Sequence, residues 1–258
     1  MKLEVQGASF SYPHASRPVF ENIGFAIESG QVMTILGKNG VGKTTLVKCL
    51  TGVLPWRNAH VSVDGKELAG ADKVKLISYV PQSHNLTYPY SVREIVLMGR
   101  ARHMGALSMP SKEDCEATDK MIVDLGLDAL ANKRCDELSG GQLQMVFIAR
   151  ALVSDPEILV MDEPESALDF KNQFRLLQLV VSLAKTHSKA IIINTHYPDH
   201  ALEISDTTLL MGEGKFTFGA TEKILTENNM NDYFDVQSEI VSVQVNGKPH
   251  KAFVVFDA

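Results

Sequence analysis

Val32-Met33-Thr34-Ile35-Leu36-Gly37-Lys38-Asn39-Gly40-Val41-Gly42-Lys43-Thr44 is a short apolar run that feeds straight into the pattern GxxxxGKT. Glycines at these positions let successive backbone N–H groups converge on phosphate oxygens, at the positive end of the helix that follows. Lys43 is then placed to reach the β- and γ-phosphates, and Thr44 to hold Mg2+. The context agrees, with a strand ending at Leu36 and a helix beginning at Thr44. Two further apolar runs, Ile158 to Met161 and Ala190 to Ile193, suit strands of a parallel sheet covered on both faces. Phe170 to Lys185 and Pro198 to Ser205 carry helical patterns between or after them. Strands alternating with helices predict an α/β core.

Outside that core the pattern changes. Leu3 to Phe10 alternates like a half-buried strand, and Asp64-Gly65 after His60 to Val63 is a hairpin-turn signal. Ser83 to Val153 has helical periodicity and no buried strand, with capping boxes at Ser91-Val92-Arg93-Glu94 and Ser111-Lys112-Glu113-Asp114. Core-type strands resume after it, which predicts an insertion rather than a tandem domain. The tail, Ile240 to Val245, Asn246-Gly247, then Ala252 to Phe256, reads as a small hairpin whose second strand Pro249 limits at its start.

Two local patterns carry chemistry beside the phosphate loop. Ile158-Leu159-Val160-Met161-Asp162-Glu163 sets two carboxylates at the carboxyl end of a buried strand, the edge where open α/β sheets bind ligands. Asp162 there suits Mg2+, and Glu163 suits the polarisation of an attacking water. Leu138-Ser139-Gly140-Gly141-Gln142 opens an apolar run, and Ser139 and Gln142 form a capping-box pattern. The helix start at Gly140 offers free N–H groups and close approach to an anion. Ser139 serves either as a cap for its own helix or as a phosphate contact once a partner docks.

Chance explains neither glycine motif. At ordinary glycine usage the phosphate loop arises in about one chain of this length in a hundred, and the pentapeptide roughly once in a few thousand. Together and in this order they resemble the nucleotide-binding subunit of the ATP-binding cassette (ABC) transporter family. The resemblance implies a P-loop NTPase (RecA-like) α/β core with an N-terminal antiparallel β subdomain and an inserted helical subdomain. On this chain the core and β subdomain are residues 1–82 and 154–239, the helical subdomain 83–153 and the hairpin tail 240–258. It also implies ATP and Mg2+ as ligands, with contacts from Gly37, Asn39, Gly40, Gly42, Lys43, Thr44 and Thr45 of the loop. The signature residues Ser139, Gly140, Gly141 and Gln142 face the γ-phosphate bound by the opposite subunit. One copy of each motif therefore implies a head-to-tail dimer with a second copy of the chain.

Four more positions match the family pattern by their order. Gln82 resembles the Q-loop glutamine that senses Mg2+, His196 the switch histidine, Asp169 the D-loop aspartate, and Tyr12 the aromatic that stacks on adenine. Taken singly, each reads equally well as a packing or surface residue. Glu165 stands where the family usually has Thr; it either perturbs the proton affinity of the neighbouring carboxylates by like-charge repulsion or is a solvated loop residue, and the second is the expectation. Gln144 stands where Arg is more usual.

Tyr90 to Arg100 and the tail resemble importers of iron–siderophore, haem, cobalamin and related chelates, or oxyanions such as molybdate. The implied function is ATP hydrolysis driving a transmembrane permease served by an external substrate-binding protein. Two alternatives keep the motifs: an exporter's ATPase subunit, and a soluble ABC ATPase of the iron–sulfur assembly type. Composition sets limits on partners. In 258 residues the net charge is −6 with no basic run, which argues against nucleic acid. No stretch of eighteen apolar residues occurs and the N-terminus lacks a secretory layout, so the expected place is the cytosolic face of a membrane. Cys49, Cys115 and Cys135 are too scattered for a zinc site, and Cys49 is expected to be a buried thiol.

Overall fold

The computed structural model describes residues 1–68, 75–82, 88–105, 108–166, 168–245 and 248–257. Ser83, Ala167 and the Asn246-Gly247 turn lie outside those residues. Strands β1 (Lys2–Phe10), β2 (Phe20–Glu28), β4 (His60–Val63) and β5 (Lys66–Glu67) form an antiparallel sheet in the order β2-β1-β4-β5. Asp64 and Gly65 both take positive φ, 49° and 76°, as a two-residue turn with right-handed strand twist requires.

The central sheet has the order β10-β9-β3-β8-β7-β6. It is built from β3 (Val32–Leu36), β6 (Ile77–Val80), β7 (Ile158–Asp162), β8 (Ala190–Asn194), β9 (Thr207–Gly212) and β10 (Lys215–Ala220). All neighbours run parallel except β9 and β10. Its register decides where the chemistry can occur. Ile35 lies beside Asn194, and Asn194 beside Asp162, so the loop after β3, the carboxylates after β7 and the turn after β8 share one edge.

The sheet is covered on both faces, which explains why β3, β7 and β8 are buried along their whole length. Alternation then divides the residues. Leu159, Met161, Ile191 and Ile193 enter a core with the helical segment, while Ile158, Val160, Ala190 and Ile192 enter one with the antiparallel sheet. Burial of each such side chain stabilises by about 1.5–3 kcal/mol. Truncating one to alanine costs about 2–5 kcal/mol because the cavity adds to the lost transfer energy. On the second face α1 (Lys43–Leu50) buries Leu46, Val47, Cys49 and Leu50, and the Cys49 thiol is fully enclosed as expected.

Among its described residues the segment between β6 and β7 holds helices joined by loops and no named strand. It holds α2 (Val92–Met98), α3 (Lys112–Asp124) and α4 (Gly140–Leu152). Ser91, Ser111 and Ser139 each form the reciprocal capping box read from the sequence. Each box satisfies two backbone donors that a helix start otherwise leaves free. Helices α5 (Phe170–Lys185) and α6 (Pro198–Ile204) flank β8, and α7 (Thr221–Ile224) and α8 (Glu227–Phe234) follow β10.

The tail hairpin pairs β11 (Gln237–Val245) with β12 (Lys248–Asp257). The ladder runs to the turn, with Gln244 opposite Pro249 and Val245 opposite Lys248, so Pro249 does not curtail the pairing. In a two-stranded antiparallel ladder only alternate residues on each strand donate to the partner, so a proline at a non-donating position removes no bond. Phe253 fastens the hairpin to α6, its N–H donating to Asp199 Oδ1 at 2.7 Å while its ring packs near Leu210 and Tyr233.

Candidate active site

Gly37 leaves β3 at φ 156°, and a Cβ there would lie 2.2 Å from the Met211 carbonyl oxygen. Gly42, the N-cap of α1, has φ 105°, and its Cβ would meet Val19 Cγ1 at 2.4 Å. Both positions exclude any side chain, so the loop is held tightly between β9 and the Val19 segment with its N–H groups uncovered. The Lys43 side chain folds back into that loop, Nζ donating to the carbonyls of Gly37 at 2.7 Å and Lys38 at 3.0 Å. Burial lowers its pKa, and the nearby charges of Glu163 and Asp162 oppose that shift. A cleft of about 220 Å³ runs along the loop, bounded by Tyr12, Asn39, Gly40, Thr44, Thr45 and Glu163. Tyr12 stands at its rim, half exposed, its Oη 3.1 Å from Thr45 Oγ1 and its ring edge-on to Phe10 at 4.9 Å.

Asp162 is almost fully buried at the centre of this edge. Its Oδ1 accepts from Thr44 Oγ1 at 3.1 Å and from Asn194 Nδ2, and its Oδ2 accepts from Tyr79 Oη at 3.2 Å. Burial, and then the Asp162 charge, raise the Tyr79 phenol well above its ordinary value, so it stays a donor. Thr44 and Asp162 offer hard oxygen donors only, the set that suits Mg2+ when phosphates and water complete the shell. Among the described residues no group of three or more His, Cys, Asp or Glu is arranged to hold a metal unaided.

Glu163 sits at φ 46°, a left-handed conformation that costs a non-glycine residue on the order of 1–3 kcal/mol. Its N–H donates to the Asn194 carbonyl at 2.8 Å, which holds that turn against the β8 end. Its Oε2 accepts from Gln82 Nε2 at 2.6 Å and lies 3.6 Å from His196 Nδ1. Lys43, Thr44, Asp162, Glu163, Gln82 and His196 are therefore joined at one sheet edge by these contacts.

The signature residues are not part of that cleft. Ser139 Oγ accepts from the Gln142 N–H at 3.3 Å, and Gln142 Oε1 accepts from the Ser139 N–H at 3.1 Å. The hydroxyl is thus engaged on its own helix. A Cβ on Gly141 would touch Leu168 and Asn172 at 3.4 and 3.3 Å, so α4 starts against the beginning of α5. Asp169 caps α5 by accepting from the Asn172 N–H at 2.8 Å.

One sequence expectation is overturned. Glu165 is not solvated: it is 2% exposed, and its Oε1 accepts from Thr195 Oγ1. Three residues of the edge were missed by motif reading, namely Tyr79, Asn194 and Thr195. Asn194 had a signal, since it ends an apolar strand at the same edge as Asp162. Tyr79 had none, because parallel pairing of β6 with β7 brings it near.

Residues 20–166 match the family model described as ABC transporter. The chain belongs to that family. It is 35% identical over 232 residues to the molybdate import ATP-binding protein MolC of Haemophilus influenzae, covering 90% of this chain and 87% of the relative. The manganese transport system ATP-binding protein MntB of Bacillus subtilis is 32% identical over 237 residues, covering 91% and 94%. A solved metal-chelate type ABC transporter in an inward-facing conformation superposes with a TM-score of 0.89 at 32% identity, covering 98% of this chain and 97% of that one. The chain thus has the ABC ATPase fold on a P-loop core, binds ATP and is an ATPase of the ABC type.

Proposed function

We propose that this chain is the ATP-hydrolysing subunit of an importer for a metal chelate or a related oxyanion. The observation that carries the reading is the convergence of Gln82 and His196 on Glu163 beside the phosphate loop. Lys43 and the loop N–H groups bind the phosphates, and Tyr12 takes the adenine face. Thr44, Asp162 and Gln82 would hold Mg2+. When bound, Mg2+ neutralises phosphate charge and orients the terminal phosphoryl group. Glu163 accepts the proton of the attacking water, and His196 donates to the γ-phosphate.

A complete site needs a second copy. The 220 Å³ cleft lacks Ser139, Gly140, Gly141, Gln142 and Asp169 on its walls. A head-to-tail partner supplies them, with phosphate displacing the internal cap of Ser139. ATP closes the pair and hydrolysis lets it part, which drives a transmembrane permease. Residues 83–153 form that helical unit, and 240–258 the appended tail. No described helix is long and apolar enough to cross a membrane. In this reading the permease holds the chain on the cytosolic face, and an external binding protein delivers the substrate. The relatives named for molybdate and manganese, and the metal-chelate neighbour, support this substrate class.

The test is to capture the tagged protein from detergent-solubilised membranes of its own source and identify its companions. Co-purification of a polytopic permease and ATP turnover lost in Glu163→Gln are the expected results. Recovery with soluble partners alone would reject the importer reading in favour of an assembly ATPase.

A further inference from the structure

We propose that Glu165 is a positioning residue that ties the loop carrying Asp169 to the loop carrying His196. The proposal rests on the roles just given to those two residues. Glu165 is three residues beyond Asp162 and four before Asp169, yet its side chain points into the β8–α6 loop. Its Oε1 accepts from Thr195 Oγ1, and Thr195 Oγ1 in turn accepts from the Tyr197 N–H at 3.1 Å. One hydroxyl therefore fixes the backbone on both sides of His196. The Tyr197 ring lies 4.2 Å from the His196 ring and 4.7 Å from that of His200, tilted by 35° and 37°, so the switch histidine packs on a row of rings held by this anchor. The buried His200 Nδ1 has no hydrogen-bond partner among the described residues and lies 3.9 Å from the same Glu165 oxygen. In the tautomer with its proton on Nδ1, it is a second donor aimed at the carboxylate.

The backbone of Glu165 faces the other way. Its carbonyl accepts from the Leu168 N–H at 3.0 Å and from Gln173 Nε2 at 3.3 Å, which fastens it to the start of α5. Leu168 and Asn172 are the residues against which Gly141 packs. A contiguous chain thus runs from the signature helix through Leu168, Glu165 and Thr195 to His196. A buried carboxyl is costly unless it is hydrogen-bonded, so its presence needs a structural return. Threonine, the usual residue in the family, is two bonds shorter and does not span the same gap from the same backbone. Docking of a partner at the Asp169 loop is transmitted along this strap to the histidine.

Steady-state ATP turnover and nucleotide affinity of Glu165→Ala and Glu165→Gln test the proposal, with Glu163→Gln and His196→Ala as controls. Glu165→Ala is expected to lose at least tenfold in kcat while KM and nucleotide affinity stay within twofold. Glu165→Gln, whose amide oxygen still accepts from Thr195, is expected to keep at least half of the wild-type kcat. A Glu165→Ala kcat within twofold of wild type overturns the proposal. So does a joint loss of kcat and affinity in both variants, which marks a folding defect instead. Wild-type turnover in the two controls would sink the site assignment itself, whatever the Glu165 variants do.

Discussion

Gln82 and Glu163 are 81 residues apart in sequence and 2.6 Å apart in space, the amide Nε2 donating to the carboxylate Oε2. They meet because β6 and β7 are parallel neighbours and each residue lies just past the end of its strand. The contact joins the start of the helical segment to the carboxylate proposed to activate water. Gln82→Ala is expected to retain ATP affinity within threefold while kcat changes by tenfold or more. Equal kcat in variant and wild type would remove Gln82 from the reaction.

Glu163→Gln preserves size and the left-handed backbone but not proton acceptance. General-base removal costs roughly 10²–10⁴ in rate. Phosphate release should fall into that range, and fluorescent-nucleotide binding should persist. An unaffected rate would show that another group accepts the proton.

Lys43→Ala removes a cation held over the loop by two carbonyls. Charge-assisted hydrogen bonds contribute about 1.5–3 kcal/mol, so ATP affinity should weaken by roughly 10- to 100-fold. Nucleotide titration reads this directly, and circular dichroism should show an unchanged fold.

Gly37→Ala is expected to destabilise the fold, because its Cβ would sit 2.2 Å from a backbone oxygen of β9. Overpacking and backbone strain each cost about 1–3 kcal/mol. Gly40→Ala is the comparison: its Cβ meets nothing within 4 Å, although φ is 85°. Thermal unfolding should rank wild type above Gly40→Ala and Gly40→Ala above Gly37→Ala.

Acid stability should depend on Asp114. Hydrogen bonds from Ser111, and then the Arg100 guanidinium, hold its carboxyl down at about 2 from an ordinary 3.8. Folding therefore favours the ionised form. The contribution is complete above pH 3.8 and is lost as pH falls through 2. Asp114→Asn should lower the urea midpoint at pH 5 and flatten its decline between pH 4 and 2. Parallel curves for the two proteins over that range would refute the linkage.

Much of this protein was legible before any coordinates. The phosphate loop, both carboxylates, three capping boxes and the bounds of α5 follow from patterns of a few adjacent residues. Such patterns are local because backbone donors at a helix start, or glycines at positive φ, are satisfied by their own neighbours. Glu165 shows the limit. A charged residue between Pro164 and Ser166 reads as solvated, and only the fold of two loops makes it a buried partner of Thr195. Pro249 shows the same limit in reverse, since among the described residues β12 pairs only with β11.

The sequence by itself determined which family chemistry the chain carries, because that chemistry depends on residue type at fixed short spacing. Tertiary structure alone decided which residues share a site. Tyr79, Gln82, Asp162, Glu163, Asn194 and His196 come from three strand ends, and the strand order β8-β7-β6 that gathers them is set by burial of both sheet faces. That burial sums many weak, distant contacts, so no single stretch of sequence encodes it.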